Sequence, residues 1–226
     1  MKEVIENRSV AIVGRAEYLN EIEQGELIDS HDVVIRTQSN LPWPHPAFVL
    51  EFDNDESFVP RDFQHLFGKK TTGFAPTNLP YWGLGDGRRY IVPLMERGCE
   101  YLIQHKVYNT IFAHEIATLD HLEDKFKIPI YRLPYDHFAE IVRALDYSFP
   151  MPGTLLIDYI KRQNPKSLYF TGFACYLDAK DAWLKAEVKM ARDHKPLYDI
   201  RYLRDFVRQF DNVTTDDKLM EYFETI

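Results

Sequence analysis

Apolar positions along this chain fall into two patterns. Short continuous apolar runs closed by glycine or a polar residue read as buried strands, and three-to-four spacings read as amphipathic helices. Ser9–Val13 (SVAIV) is such a run, closed by Gly14. Glu17–Leu27 has helical spacing through Leu19, Ile22 and Leu27. Asp32–Arg36 (DVVIR) predicts a second strand, Ala47–Phe52 (AFVLEF) a third that ends at Asp53, and Thr71–Ala75 a fourth. Tyr90–Lys106 predicts a helix, because Ile91, Leu94, Met95, Tyr101 and Leu102 recur at helical spacing. Asn109–Ala113 predicts a strand, Leu119–Phe126 a helix, Ile128–Leu133 a strand and Tyr135–Asp146 another amphipathic helix. Thr154–Gln163 is helical and Lys166–Gly172 (KSLYFTG) a strand, with Asp181–Arg192 and Pro196–Phe210 as the remaining helices. Strands alternating with helices predict an α/β fold with a mostly parallel, twisted sheet flanked by helices, a single Rossmann-like domain over residues 1–226.

The composition agrees with a globular domain. The chain has 226 residues, 45% hydrophobic and 27% charged, and its 14% of aromatic residues can fill a core and line a pocket. The stretch MKEVIENRSVAIVG lacks the pattern of a cleaved signal, and no segment approaches the ~18 uninterrupted apolar residues of a membrane span. Cys99 and Cys175 make neither a disulfide framework nor a CxxC metal pair, so a reducing, cytoplasmic compartment is expected. A net charge of −8 with dispersed basic residues argues against a nucleic-acid partner.

In an open α/β sheet, ligands bind outside the carboxyl ends of the strands. Those ends carry Gly14-Arg15-Ala16, Thr37-Gln38, Asp53 and Gly172-Phe173-Ala174. The strand–glycine–helix turn at Gly14 leaves backbone N–H groups for a phosphate or sugar, though it lacks a GxGxxG dinucleotide fingerprint. In Pro150–Phe173, a Pro-Gly-Thr run opens a helix at its positive end, with the Thr154 hydroxyl available there, and a strand then ends in Gly-Phe.

These stretches resemble the motifs of the sialyltransferases, glycosyltransferase family 29. The large sialylmotif is matched by Val13-Gly14, Leu19, Gly25, Ile28-Asp29-Ser30-His31-Asp32 and Val34-Ile35-Arg36. Gly68-Lys69-Lys70-Thr71-Thr72 resembles the GxKTT element that follows it. Pro152-Gly153-Thr154 and Gly172-Phe173 resemble the small sialylmotif. His194-Lys-Pro-Leu-Tyr-Asp199 resembles the last motif, a His, four residues and Glu, with Asp in the acidic place. Tyr176-Leu177-Asp178 stands where the family carries an aromatic donor to the phosphate.

The resemblance implies a GT-A-variant-like fold and an inverting transfer of a sugar, sialic acid or a related keto-sugar such as Kdo. The donor is CMP-activated and the acceptor is a glycan or other hydroxyl compound. It implies His194 as general base, with donor contacts from Gly14, Arg15, Ala16, Gln38, Gly153, Thr154, Gly172, Phe173 and Tyr176, and Asp199 steadying the loop. His194, near an ordinary pKa of about 6.5, would accept the acceptor's hydroxyl proton. CMP would leave readily, because its phosphate has a second pKa of about 6. No cofactor and no metal are then required.

The chain also departs from the family pattern. Arg15, Tyr18 and Gln38 stand where the family has asparagines that contact the donor, and Met151 or Pro152 replaces a Ser/Thr, leaving Thr154 as the nearest hydroxyl. Val10 and roughly Pro165 replace the paired motif cysteines, and no segment reads as the anchor of Golgi members. Asp53-Asn54-Asp55 offers a second possibility, a metal-dependent transferase of nucleotide-diphosphate sugars, because carboxylates suit hard cations. A third is a non-catalytic nucleotide-binding protein of the same fold.

Overall fold

A computed structural model of the chain describes residues 1–37, 68–76, 87–104, 113–175 and 195–226. In chain order these form α1 (Lys2–Ile5), β1 (Ser9–Val13), a 3-10 turn (Glu17–Glu21), α2 (Gly25–Asp29), β2 (Val33–Thr37) and β3 (Gly73–Ala75). Then follow α3 (Arg88–Met95), β4 (Tyr101–Gln104), α4 (Ala113–Phe126), β5 (Ile130–Arg132), α5 (Tyr135–Ala144) and α6 (Pro152–Lys161). β6 (Ser167–Thr171), α7 (Pro196–Gln209), β7 (Val213–Thr215) and α8 (Asp217–Glu224) complete them.

The strands make one seven-stranded sheet in the order β5-β4-β3-β2-β1-β6-β7. Every neighbouring pair runs parallel, so the α/β class expected from the alternation holds. A parallel sheet covered by helices on its faces needs strands that are apolar throughout. Val10, Ala11, Ile12 and Val13 of β1 are accordingly all fully buried, as are Val33, Val34 and Ile35 of β2. Burying one such Val or Ile side chain is worth roughly 1.5–3 kcal/mol, so the central strands hold the fold together. A second, smaller apolar cluster joins Phe74 of β3, Ile91 and Leu94 of α3, Leu102 of β4 and Leu119 and Leu122 of α4. Cys99 and Cys175 are both buried and are not joined in a disulfide, and burial pushes the thiol of Cys99 up to about 12.

Several sequence expectations are corrected. The helix expected over Glu17–Leu27 is a 3-10 turn and a separate α2, with Ile22 in extended conformation between them. The break carries Gln24 inward, where its amide nitrogen donates to Thr171 Oγ1 at 2.9 Å, and it leaves Leu27 exposed. The helix expected over Tyr90–Lys106 stops at Met95, because Gly98 turns the chain at φ +87° and Tyr101–Gln104 becomes β4. Tyr101 and Leu102 satisfied a helical spacing that a buried strand satisfies equally well. Ala113, expected to end a strand, opens α4 instead. The strand at 47–52, most of the one at 109–113 and the helix at 181–192 lie outside the described residues. Unexpected are α1, β7 and α8.

Candidate active site

From β1 the chain steps outward through β2, β3, β4 and β5, then returns to the other side of β1 with β6 and β7. The direction reverses between β1 and β6, and an open parallel sheet has its ligand crevice outside the carboxyl ends of the strands at such a switch point. The turns leaving β1 and β6 touch there. Gly14 N donates to Thr171 O at 2.7 Å, and Ala16 N donates to Gly172 O at 3.0 Å. A Cβ on Gly14 would lie 2.2 Å from Gly172 O, and Gly172 itself sits at φ +80°, so both positions demand glycine.

Phe173 fastens a third segment to this junction. A Cβ built on Gly153 would meet the Phe173 ring at 2.4 Å, and one on Gly14 would meet it at 3.0 Å. The turn after β1, the turn after β6 and the start of α6 therefore pack around one ring. Pro152 opens α6 with no N–H to satisfy, and no side chain caps the helix in place. Two other segments hold this entrance. Asp199, fully buried in the first turn of α7, accepts the N–H of Met151 at 2.8 Å through Oδ1. Ser148 Oγ accepts the N–H of Lys195 at 3.2 Å. The Asp199 carboxylate sits at the positive end of the α6 dipole, where negative charge is stabilised.

Thr154 lies in the first turn of α6 and is 1% exposed, and its Oγ1 has no hydrogen-bond partner among the described residues. A buried hydroxyl without a partner costs about 1–3 kcal/mol.

A buried polar network supports the Gly172 turn. Tyr18 Oη accepts the Gly172 N–H at 2.7 Å and donates to Asp216 Oδ2 at 2.8 Å. Thr171 Oγ1 donates to the same oxygen at 2.6 Å. Asp216 is also the N-cap of α8, accepting from Leu219 N at 2.8 Å through Oδ1. Burial, together with the Asp216 charge, raises the Tyr18 phenol well above its ordinary pKa, so it stays protonated as a donor. Tyr18 stands at a position that the resemblance assigns to donor contact, yet its hydroxyl is committed to the fold. The sequence reading missed Gln24 and Asp216. The signal for Asp216 was an Asp directly before the apolar spacing of Leu219, Met220 and Phe223.

The most distinctive sequence block does its work beneath the switch point. The Asp29 carboxylate accepts the N–H groups of Lys69 and Lys70 at 2.9–3.0 Å. Gly68, at φ +70°, is pressed so close that a Cβ would lie 2.3 Å from Asp29 Oδ1. Arg36 is fully buried and donates from Nε to Lys70 O and Thr71 Oγ1, both at 3.0 Å. Burial pushes its guanidinium down to about 9, against the pull of Asp29, so it remains charged at neutral pH. Thr72 exchanges bonds with the backbone of Val34. The IDSHDxVIR and GKKTT blocks thus lock β2 to β3.

Gly14, Arg15, Ala16, Gly153, Thr154, Gly172 and Phe173 surround the junction, with Arg15 exposed and Asp199 behind the α6 entrance. Gln38, Tyr176 and His194 lie outside the described residues, as do Asp53 and Asp55. Among the described residues, no group of His, Cys, Asp or Glu is arranged to hold a metal ion, and no helix is long and apolar enough to cross a membrane.

No protein-family model and no curated protein sequence matches the chain. Solved structures do. A mammalian sialyltransferase in complex with Gal-β-1-3GalNAc-ortho-nitrophenol superposes with a TM-score of 0.55 at 16% identity, over 95% of this chain and 71% of that one. The sialyltransferase CstII from Campylobacter jejuni, in complex with cytidine-5'-monophosphate, gives 0.53 at 15% identity, over 93% and 80%. The same enzyme in complex with CMP-3FNeuAc gives 0.53 at 16% identity, over 92% and 80%. With an all-parallel sheet whose strand order switches sides between β1 and β6, this chain has a sialyltransferase-like fold.

Proposed function

We propose that the protein is an inverting glycosyltransferase that moves sialic acid or a related keto-sugar such as Kdo from a CMP-activated donor to an acceptor hydroxyl. The observation that carries the reading is the Thr154 hydroxyl, buried at the first turn of α6 with no partner among the described residues, beside two touching glycine turns at the switch point. A helix start supplies free N–H groups and the positive end of its dipole, which suits a phosphate. Thr154 adds a hydroxyl, and Gly14 and Gly172 let backbone approach a ligand without side-chain obstruction. The CMP phosphate would sit at this helix start, where the developing charge of the leaving group is stabilised without a divalent cation. The donor is a substrate in this scheme, and no cofactor takes part.

His194 is the proposed general base. Its support is the anchoring of the residues that follow it: Lys195 is bonded to Ser148 and Asp199 to Met151, which ties the start of α7 to the start of α6. In this scheme the imidazole takes the acceptor's hydroxyl proton as the oxygen attacks the anomeric carbon, and the bond to CMP breaks on the opposite side. Asp199 positions the α6 entrance and does not react. Two buried cysteines that form no disulfide with each other suit the reducing, cytoplasmic compartment that we propose.

Calorimetric titration with CMP and UDP, with and without EDTA, tests the donor. CMP is expected to bind more tightly than UDP and to be indifferent to EDTA; the reverse on either point would overturn the assignment. His194→Ala is expected to lower transfer by about 10²-fold or more while CMP binding is kept. Full activity in that variant would remove His194 from the mechanism.

A further inference from the structure

The two turns that meet at the switch point share one anchor. Asp216 Oδ2 accepts a hydroxyl from each: Tyr18, which follows the β1 turn, donates at 2.8 Å, and Thr171, which ends β6, donates at 2.6 Å. The backbone of the same two segments is joined as well. Thr171 O takes the N–H of Gly14, Gly172 O takes that of Ala16, and Tyr18 Oη takes that of Gly172. A single carboxylate oxygen thus closes a ring of hydrogen bonds through both turns. It belongs to neither of them. It comes from the start of α8, 45 positions from Thr171 and 198 from Tyr18.

The sense of each bond is fixed by what the groups can do. A backbone N–H only donates, so Tyr18 accepts from Gly172 and has its one O–H left for Asp216. Gln24 Nε2 likewise donates to Thr171 Oγ1 at 2.9 Å, which turns the Thr171 O–H onto the same carboxylate oxygen. Tyr169 donates to Gln24 Oε1, and that sets which way the Gln24 amide faces. Tyr169 and Thr171 are two apart on β6 and share a face of the sheet, so one glutamine bridges both. Asp216 Oδ1 serves its own helix through Leu219 N at 2.8 Å, and the Tyr222 ring of α8 lies 5.9 Å from that of Tyr18. Tyr18, Gln24, Thr171 and Asp216 are each at most 9% exposed, so a lost partner leaves a buried group unpaired.

We propose that Asp216 is a positioning residue for donor binding: acting through Tyr18 and Thr171, it clamps the β1 and β6 turns in the shape that receives the nucleotide. The proposal rests on the glycosyltransferase reading. Phe173 carries the effect to the ligand, because it follows Gly172 directly and its ring packs on both Gly14 and Gly153. A shift of the Gly172 turn therefore moves the support of the α6 start, where Thr154 lies. A misplacement of about 1 Å in such a constellation costs about 10²-fold in rate. The place calls for a carboxylate, which takes three donors on two oxygens. An amide presents its nitrogen either to the Leu219 N–H or to the two hydroxyls, so Asp216→Asn sets donor against donor in both orientations.

Two readouts on the full chain test this. In calorimetric titration with CMP, the dissociation constant is expected to rise about tenfold or more in Asp216→Asn and in Thr171→Val, and to stay near wild type in Thr171→Ser, which keeps the hydroxyl. Leu122→Ala, in the second apolar cluster, is the stability control: it lowers the urea midpoint too and is expected to leave CMP affinity unchanged. All titrations are made below the unfolding transition of every variant, as followed by circular dichroism. Amide hydrogen exchange reads the clamp without a ligand. Relative to the β4 amides of Leu102 and Ile103, those of Gly14, Ala16 and Gly172 are expected to exchange about tenfold or more faster in Asp216→Asn. CMP affinity retained in Asp216→Asn, or lost equally in Leu122→Ala, would overturn the proposal, as would unchanged exchange at the three turn amides. Should Asp216→Asn fail to fold, the Thr171 pair decides by the same two readouts. If the wild type binds no CMP while the three amides lose protection in Asp216→Asn, the clamp stands and the transferase reading falls.

Discussion

Asp199 Oδ1 accepts the backbone N–H of Met151 at 2.8 Å, joining residues 48 positions apart. The bond holds the N-cap residue of α6 by its own N–H, from a second helix. It couples the start of α7, which follows the proposed base, to the start of α6, which is the proposed phosphate site. Asp199→Ala is expected to leave that N–H unsatisfied in a buried place and to cost about 1–3 kcal/mol in urea unfolding, with weaker CMP binding. Asp199→Asn retains an acceptor oxygen and should recover most of the stability.

Thr154 behaves oppositely if its hydroxyl awaits a ligand. Thr154→Val is nearly isosteric and removes a buried oxygen that has no partner among the described residues. The unliganded variant is expected to be as stable as the wild type or more so, while CMP affinity falls by about tenfold, the size of a lost hydrogen bond to a charged group. A variant that loses stability and keeps its affinity for CMP would assign the hydroxyl to the fold.

Tyr18 supports the Gly172 turn through a hydroxyl that both accepts and donates. Tyr18→Phe leaves the Gly172 N–H without an acceptor and Asp216 without one donor. A loss of about 1–3 kcal/mol is expected by chemical denaturation. Because Gly172 lies at the switch point, CMP binding should weaken as well.

His137 sets a pH dependence. Burial holds its imidazole below the ordinary value, against the opposing pulls of the Leu155 carbonyl and the Asp158 carboxylate, while Arg162 adds to the lowering and Glu140 opposes it. The unfolded chain therefore binds a proton more readily than the folded one. Stability is full above the ordinary histidine pKa of about 6.5 and falls as the pH drops through it. The urea midpoint of the wild type should decline between about pH 7.5 and about pH 5.5 more steeply than that of His137→Gln, which keeps an N–H for the Leu155 carbonyl. Parallel slopes would show that another group governs the acid limb.

Part of this was legible before any coordinates. The apolar runs at Ser9–Val13 and Lys166–Gly172 marked β1 and β6, and the glycines that close them marked the two turns that meet. The specific block Ile28–Arg36 was legible as a signal, but its role was not. Asp29 and Arg36 bind backbone 40 and 34 positions away and lock two strands, and spacing along a chain does not say whether a charge faces a ligand or its own fold.

The sequence by itself determined the α/β class, the central strands and the glycine turns, because burial on both faces of a strand and the steric limits of a tight turn are local demands that leave local marks. Only the tertiary structure decided that Tyr101–Gln104 is a strand, that Tyr18 serves Asp216 across 198 positions, and that Phe173 packs on both Gly14 and Gly153. Those are contacts between distant segments. Their energy depends on which groups the folded chain brings together, and that is set by the packing of the whole sheet and its helices.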